Sequence, residues 1–235
     1  MRLHVKVGLG AILLFALLLL DGQGAWAYWE PSLPLESVEA TFHHPGDSSY
    51  WGTTLSGVPS GYDVSNGTYV GWCVDESHTT ANNSTKDVYL RNTSYYEGPP
   101  DDQFTPKTSI EYWRDGTQYF VDGSWNIVNY ILNHKVGDDW NSTQLAIWLF
   151  VNNHDWDHVK DDADARTMIY NAIDFGQAYW PAAGEVIAVA VDAGENQGTI
   201  IEVTRPVPEA STLLLFGCGL CGLLFFARKK RLIRC

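Results

Sequence analysis

The chain has 235 residues, with 15 Lys and Arg against 28 Asp and Glu, for a formal net charge of −13 at pH 7. The imbalance deepens in the middle, where residues 28–208 carry 8 basic against 26 acidic side chains. That surface excludes nucleic acid and anionic membranes as partners, and the length, once the two ends are set aside, suits one domain of moderate size.

Taken in chain order, Arg2 and Lys6 flank the start of an apolar run over residues 7–20, and Ala25-Trp26-Ala27 has the small-x-small form of a signal-peptidase site. Residues 1–27 are therefore expected to be a signal peptide. Residues 37–42 alternate apolar and polar as a half-buried strand does, and His43-His44-Pro45-Gly46-Asp47 reads as a turn. Residues 68–74, Thr-Tyr-Val-Gly-Trp-Cys-Val, are β-branched and aromatic and predict a strand that carries Cys73. Residues 75–123 are polar and loop-rich, with short strands expected at 87–90 and 118–121. A helical block follows. Trp125, Val128, Ile131 and Leu132 recur at helical spacing; residues 143–150 are the most apolar run of the middle region; and Asp161, Asp162 and Asp164 open a third helix to about Phe175, where acidic first-turn residues suit the helix dipole. Asn141 and Ser142 read as N-cap residues, which puts Gln144 in the first turn of its helix. Residues 185–191 and 199–203 are two strands joined by a hairpin loop. The expected architecture is one α+β domain over residues 28–206, with a β-sandwich-like sheet part and a helical insertion.

Residues 213–227 form an apolar segment near the lower limit of ~17 residues for a bilayer span. Arg228-Lys229-Lys230-Arg231 follows it and is expected to stay cytoplasmic. A Pro-Glu motif at Pro208 and Glu209, a Leu/Gly-rich helix and a basic end together resemble the PEP-CTERM sorting signal of Gram-negative bacteria. The resemblance departs from the usual Pro-Glu-Pro at Ala210. It implies an exosortase-type sorting enzyme as partner, tethering to the inner membrane through residues 213–227, and residues 207–235 as a sorting segment. A simple C-terminal anchor is the plainer alternative.

Of four cysteines, Cys218, Cys221 and Cys235 lie in that tail, so Cys73 is the lone thiol of the exported region. It has no intradomain disulfide partner and is either inert, paired between chains, or used chemically. Gln144 is an amide in an apolar helix, which must find partners or cost a few kcal/mol, roughly. The two side chains together suggest one reaction. A thiolate held against a glutamine carboxamide expels ammonia and leaves an internal thioester, with proximity and alignment replacing ~7–11 kcal/mol of barrier at best. The reaction also needs a stabilised thiolate and donors for the oxyanion. Helix N-terminal amides near Gln144 are the expected source, with Trp72, Trp140 and Trp148 excluding water.

The residues carrying this pattern, Trp72-Cys73-Val74 and Thr143-Gln144-Leu145-Ala146-Ile147-Trp148, resemble the thioester (TQXA) domains of bacterial surface adhesins over about residues 36–204. The resemblance implies a Cys73–Gln144 bond at the junction of the sheet and helical parts, with Trp72, Thr143 and Trp148 in support. It also implies covalent, single-turnover capture of an amine or hydroxyl on a surface or matrix partner, which is not enzymatic turnover, and it implies no cofactor. The bland reading has Cys73 as a small buried hydrophobe and Gln144 as a satisfied core amide. Two other classes compete. One is a secreted cysteine hydrolase with His78 or His134 as base. The other is a non-covalent glycan- or matrix-binding module using some of the 10 Trp and 12 Tyr. His154 and His158, four apart beside Asp155, Asp157, Asp161 and Asp162, form a candidate metal cluster, set against the reading of a solvated acidic loop and helix start; no metal is assigned there.

Overall fold

A computed structural model describes residues 29–44, 49–75, 78–93, 104–151, 154–194 and 196–207. The signal peptide, Pro208, Glu209 and the apolar segment 213–227 lie outside the described residues. Among the described residues no helix is long and apolar enough to cross a membrane. The chain divides into two units, Met1–Glu30 and Pro31–Cys235, and the architecture below is that of the second.

Six strands close an antiparallel barrel in the order β1 (Val38–His43), β2 (Trp51–Ser56), β3 (Gly67–Cys73), β8 (Thr199–Thr204), β7 (Val186–Asp192), β4 (Ser84–Asn92), with β4 returning to β1. The α+β class expected from the sequence is found, but the sheet part is one closed barrel where a sandwich was expected. The reason lies in β4. It runs to 9 residues and pairs with β1 along one side and β7 along the other, which joins the two ends of the sheet. Strands of period 2 fill such a barrel with every second side chain. Ile187, Val189 and Val191 of β7 alternate with Ala188 and Ala190, and it is the two alanines that join the core under the helices. Their small size lets helices lie close on the outer face.

A separate hairpin, β5 (Ile110–Arg114) and β6 (Thr117–Val121), and four helices, α1 (Trp125–Asn133), α2 (Trp140–Val151), α3 (Trp156–Val159) and α4 (Ala163–Phe175), form the insertion between β4 and β7. The helical core gathers Ile127, Ile131, Ile147, Phe150, Met168 and Ile169, all essentially unexposed, and Trp72 and Ile200 from the barrel pack into it. Two amides on one face of α1 fix it to β7. Asn129 Oδ1 accepts from Ala188 N at 2.8 Å, and Asn133 donates to Val186 O at 2.7 Å and accepts from Val186 N at 2.8 Å. Spaced four apart, they extend the ladder of β7 with side-chain groups.

β2 and β5 are absent from the sequence-based reading. Trp51-Gly-Thr-Thr-Leu-Ser and Ile110-Glu-Tyr-Trp-Arg are each short, and Gly/Pro-rich or polar stretches flank them, so the turn signals mask the alternation.

Candidate functional site: Gln144 against the end of the Cys73 strand

β3 carries Cys73 to a place where its sheet becomes incomplete. The pairing of β2 with β3 stops at Trp51 opposite Gly71. On the other side β8 continues, with Cys73 opposite Thr199 and Val74 N donating to Gly198 O at 3.0 Å. Amides alternate direction along a strand. The N–H and C=O of Cys73 therefore face the side that β2 has vacated, where buried main-chain groups need partners.

Gln144 supplies both. Cys73 N donates to its Oε1 at 2.9 Å, and its Nε2 donates to Cys73 O at 2.7 Å. The carboxamide takes the place of a strand residue, and both it and Cys73 are fully buried. Gly71, two residues earlier, lets β2 lie close against β3 beside this arrangement. A Cβ there would meet Thr53 Oγ1 at 2.7 Å and Trp51 O at 3.0 Å.

The sulfur has its own neighbours. Cys73 Sγ donates to Asp75 O at 3.1 Å, and Gln197 Nε2 donates to Sγ at 2.8 Å and to Asp75 O at 2.9 Å. Gln197, 6% exposed, comes from the β7–β8 loop. Sequence reading missed it because nothing in that loop marks one amide as aimed inward. The buried carboxylate of Asp75 holds Nδ1 of the half-exposed His78 at 2.5 Å.

The helix that presents Gln144 starts at Trp140, two or three residues earlier than Asn141 and Ser142 would set it as caps. Asp139 Oδ1 accepts from Asn141 N at 2.9 Å and fills the capping role, while Ser142 Oγ donates to Asp162 Oδ2 at 2.8 Å and ties α2 to the start of α4. Gln144 thus sits in the second turn. The donor on its carbonyl is the Cys73 N–H, in place of the expected helix N-terminal amides.

The other expected site residues are placed as follows. Trp72 points to the opposite face of β3, into the helical core. Its Nε1 donates to Glu202 Oε1 at 2.7 Å, and Lys135 Nζ lies over its ring at 5.3 Å while pairing with the same carboxylate. It supports the strand from behind and does not cover the sulfur. Thr143 is buried, with Oγ1 3.8 Å from Met168 Sδ, and anchors α2 to α4. Trp140 and Trp148 stand one turn to either side of Gln144 on one helix face. Tyr50 bridges them, with ring centroids 5.7 Å and 5.6 Å away, edge-on to both. Tyr50 is the member of this aromatic cluster that the sequence did not reveal.

His154 stacks on Trp148 at 4.6 Å, and His158 Nδ1 bonds Asp155 Oδ1 at 2.8 Å. Partial desolvation pushes the Asp155 carboxyl up, but its hydrogen bonds to His158 and to the Asp157 N–H outweigh this and hold it below the usual range. Among the described residues no three His, Cys, Asp or Glu side chains stand together as a metal set. His134 stacks on Tyr130 and bonds Tyr130 O at 2.9 Å. The described contacts of the sulfur are thus with Asp75 O and an amide, and the described contacts of His78 and His134 lie elsewhere.

No protein-family model matches the chain, and no curated protein matches it. Among solved structures, it is similar to the N-terminal thioester domain of fibronectin-binding protein SfbI from Streptococcus pyogenes, with 11% identity over 74% of this chain and 95% of that one and a TM-score of 0.36.

Proposed function

We propose that the domain forms an internal thioester between Cys73 and Gln144 and uses it to attach covalently to a partner. The observation that carries this reading is the pair of hydrogen bonds between the Gln144 carboxamide and the Cys73 main chain. They hold the acyl carbon against the residue that bears the sulfur, and that sulfur is a few covalent bonds from the N–H gripping Oε1. Orientation of this kind removes much of the entropic barrier. The Cys73 N–H is placed to stabilise an oxyanion on Oε1. Attack of Sγ on Cδ forms the C–S bond, breaks the bond from Cδ to Nε2, and releases ammonia with the thiol proton. In capture, an amine or hydroxyl attacks Cδ, the C–S bond breaks, and the nucleophile's proton returns to sulfur. The partner then hangs from Gln144 by an amide or ester. The event is single-turnover and needs no cofactor.

The signal-like start and the Pro208-Glu209 tail support an exported protein sorted by an exosortase-type enzyme. Residues 213–227 would hold it at the inner membrane before it reaches the cell surface or matrix. There the partner is a surface or matrix nucleophile, a protein lysine or a polysaccharide hydroxyl.

A second reading has one observation in its favour. Both hydrogen-bonding ends of the Gln144 amide are satisfied, so Gln144 also works as a non-covalent clamp that finishes the barrel end. Methylamine separates the two. The thioester reading predicts a methylamide on Gln144 and a freed Cys73 thiol, both lost in Cys73→Ala. The clamp reading, a glycan module and a cysteine hydrolase all predict no stable adduct, and an unlabelled Gln144 in the native wild-type chain overturns the proposal.

A further inference from the structure

The sulfur of Cys73 carries a second buried amide whose chemistry the attachment reaction has not yet used. Gln197 spends both Nε2 hydrogens at one spot, one on Sγ at 2.8 Å and one on Asp75 O at 2.9 Å. We propose that Gln197 is a catalytic residue of the Cys73–Gln144 chemistry, donating to the sulfur whenever that atom carries negative charge. The proposal rests on the thioester reading above.

Attack needs a thiolate, and so does departure of the sulfur when a nucleophile takes the acyl group. Cys73 is fully buried, and burial disfavours its charged form. A donor already aimed at the atom where charge develops offsets that cost without reorganising. An amide suits the task because it is neutral and always a donor. It steadies the thiolate at any pH without locking it into a permanent ion pair.

The second hydrogen bond explains why the side chain is a glutamine aimed at two atoms. In the thiol state Asp75 O accepts from both Sγ–H and Gln197 Nε2. Acylation removes the thiol proton, which departs with ammonia, so Asp75 O loses one donor and keeps the other. Asp75 O is therefore not orphaned by forming the bond, whereas Cys73 O gives up its Gln144 Nε2 donor as the ammonia leaves. In capture, the sulfur leaves against the Nε2–H it already faces and regains a proton from the attacking amine.

The groups facing Cys73 come from several elements. Gln144 comes from α2, Gln197 from the β7–β8 loop, and Thr199 from β8 as the direct cross-strand partner. The Thr199 hydroxyl is buried without a hydrogen-bond partner among the described residues. Asp75 follows β3, with its carboxylate on His78. Of these, Asp75 and His78 are the ionisable side chains.

Two measurements on the full chain test the proposal. The first uses the Gln144→Ala background, which has no acyl group. There the Cys73 thiolate is followed by ultraviolet difference titration against the same chain carrying Cys73→Ala. Adding Gln197→Leu is expected to raise the thiolate midpoint by about 1–2 pH units, the value of one hydrogen bond to a charged group. The second keeps Gln144 and follows methylamine uptake. Gln197→Leu is expected to slow it by about 10–100-fold. Gln197→Glu is expected to regain rate relative to wild type as pH falls, because a protonated carboxyl donates to sulfur and an ionised one repels it. A purely structural role would not produce that pH dependence. An unmoved thiolate midpoint, or a Gln197→Glu rate that tracks wild type at every pH, overturns the proposal. Failure of the thioester reading shows separately, as a wild-type chain that never loses ammonia.

Discussion

Gln144 stands in for a missing strand: its carboxamide bonds both the N–H and the C=O of Cys73 where β2 no longer reaches β3. The same contact is a structural repair and, in the function proposed, a reactive alignment, and the two roles separate by mutation. Gln144→Ala leaves two buried main-chain groups unpaired, at about 1–3 kcal/mol each. Cys73→Ala keeps both hydrogen bonds and removes one small buried group, at about 1 kcal/mol. Urea denaturation is expected to show Gln144→Ala as clearly the less stable chain, and equal losses would contradict the strand-repair role.

Tyr50 bridges Trp140 and Trp148, which stand one turn to either side of Gln144 on its helix. Removing that ring opens the aromatic cluster on the helix face that carries Gln144 and leaves Cys73 and Gln144 unchanged. Tyr50→Ala is expected to form the thioester but lose it faster to hydrolysis. The readout is the mass of the native chain over time in amine-free buffer, where hydrolysis adds one water to the ammonia-deficient form. A lifetime equal to wild type would show that the rings do not guard the bond.

Gly71 lets β2 and β3 approach beside the site. With a Cβ 2.7 Å from Thr53 Oγ1 and 3.0 Å from the Trp51 carbonyl, Gly71→Ala must push the strands apart. It is expected to destabilise the fold by about 1–3 kcal/mol and to slow thioester formation by moving Cys73 away from Gln144. Thermal melting and methylamine uptake read the two effects.

How much of this was legible in the sequence follows from what each residue's neighbours reveal. Cys73 on a strand and Gln144 on an apolar helix could be read from local pattern, because β-branched and helical periodicities are carried by adjacent residues. The pairing of Cys73 with Gln144 needed chemistry, a lone thiol and an awkward amide in search of partners. Gln197 and Tyr50 were not legible, since each acts across 90 residues or more on groups that no local pattern names. Barrel closure was hidden for a similar reason. It depends on β4 finding β1 and β7 at once, and on β2, whose glycine and polar neighbours disguised it. The capping signal of Asn141 and Ser142 misled by two or three residues because Asp139 competes for the same role and wins.

Away from the site, Tyr179 donates to Glu185 Oε2 at 2.7 Å. Burial, then that hydrogen bond and the carboxylate charge, push its phenol well above the ordinary tyrosine range. The folded chain therefore keeps a proton that the unfolded chain gives up above pH ~10, so the stability it adds is present below that pH and fades as pH rises further. Tyr179→Phe is expected to flatten this alkaline loss in denaturation curves taken between pH 9 and about 11. An unchanged alkaline slope would remove Tyr179 as its source.

The most direct measurement is the intact mass of the freshly purified full chain, never exposed to amines. With the Cys73–Gln144 bond in place it is lighter by one ammonia than its sequence requires, and both Cys73→Ala and Gln144→Ala return to full mass. A wild-type chain at full mass, folded and with Cys73 free, would contradict the account.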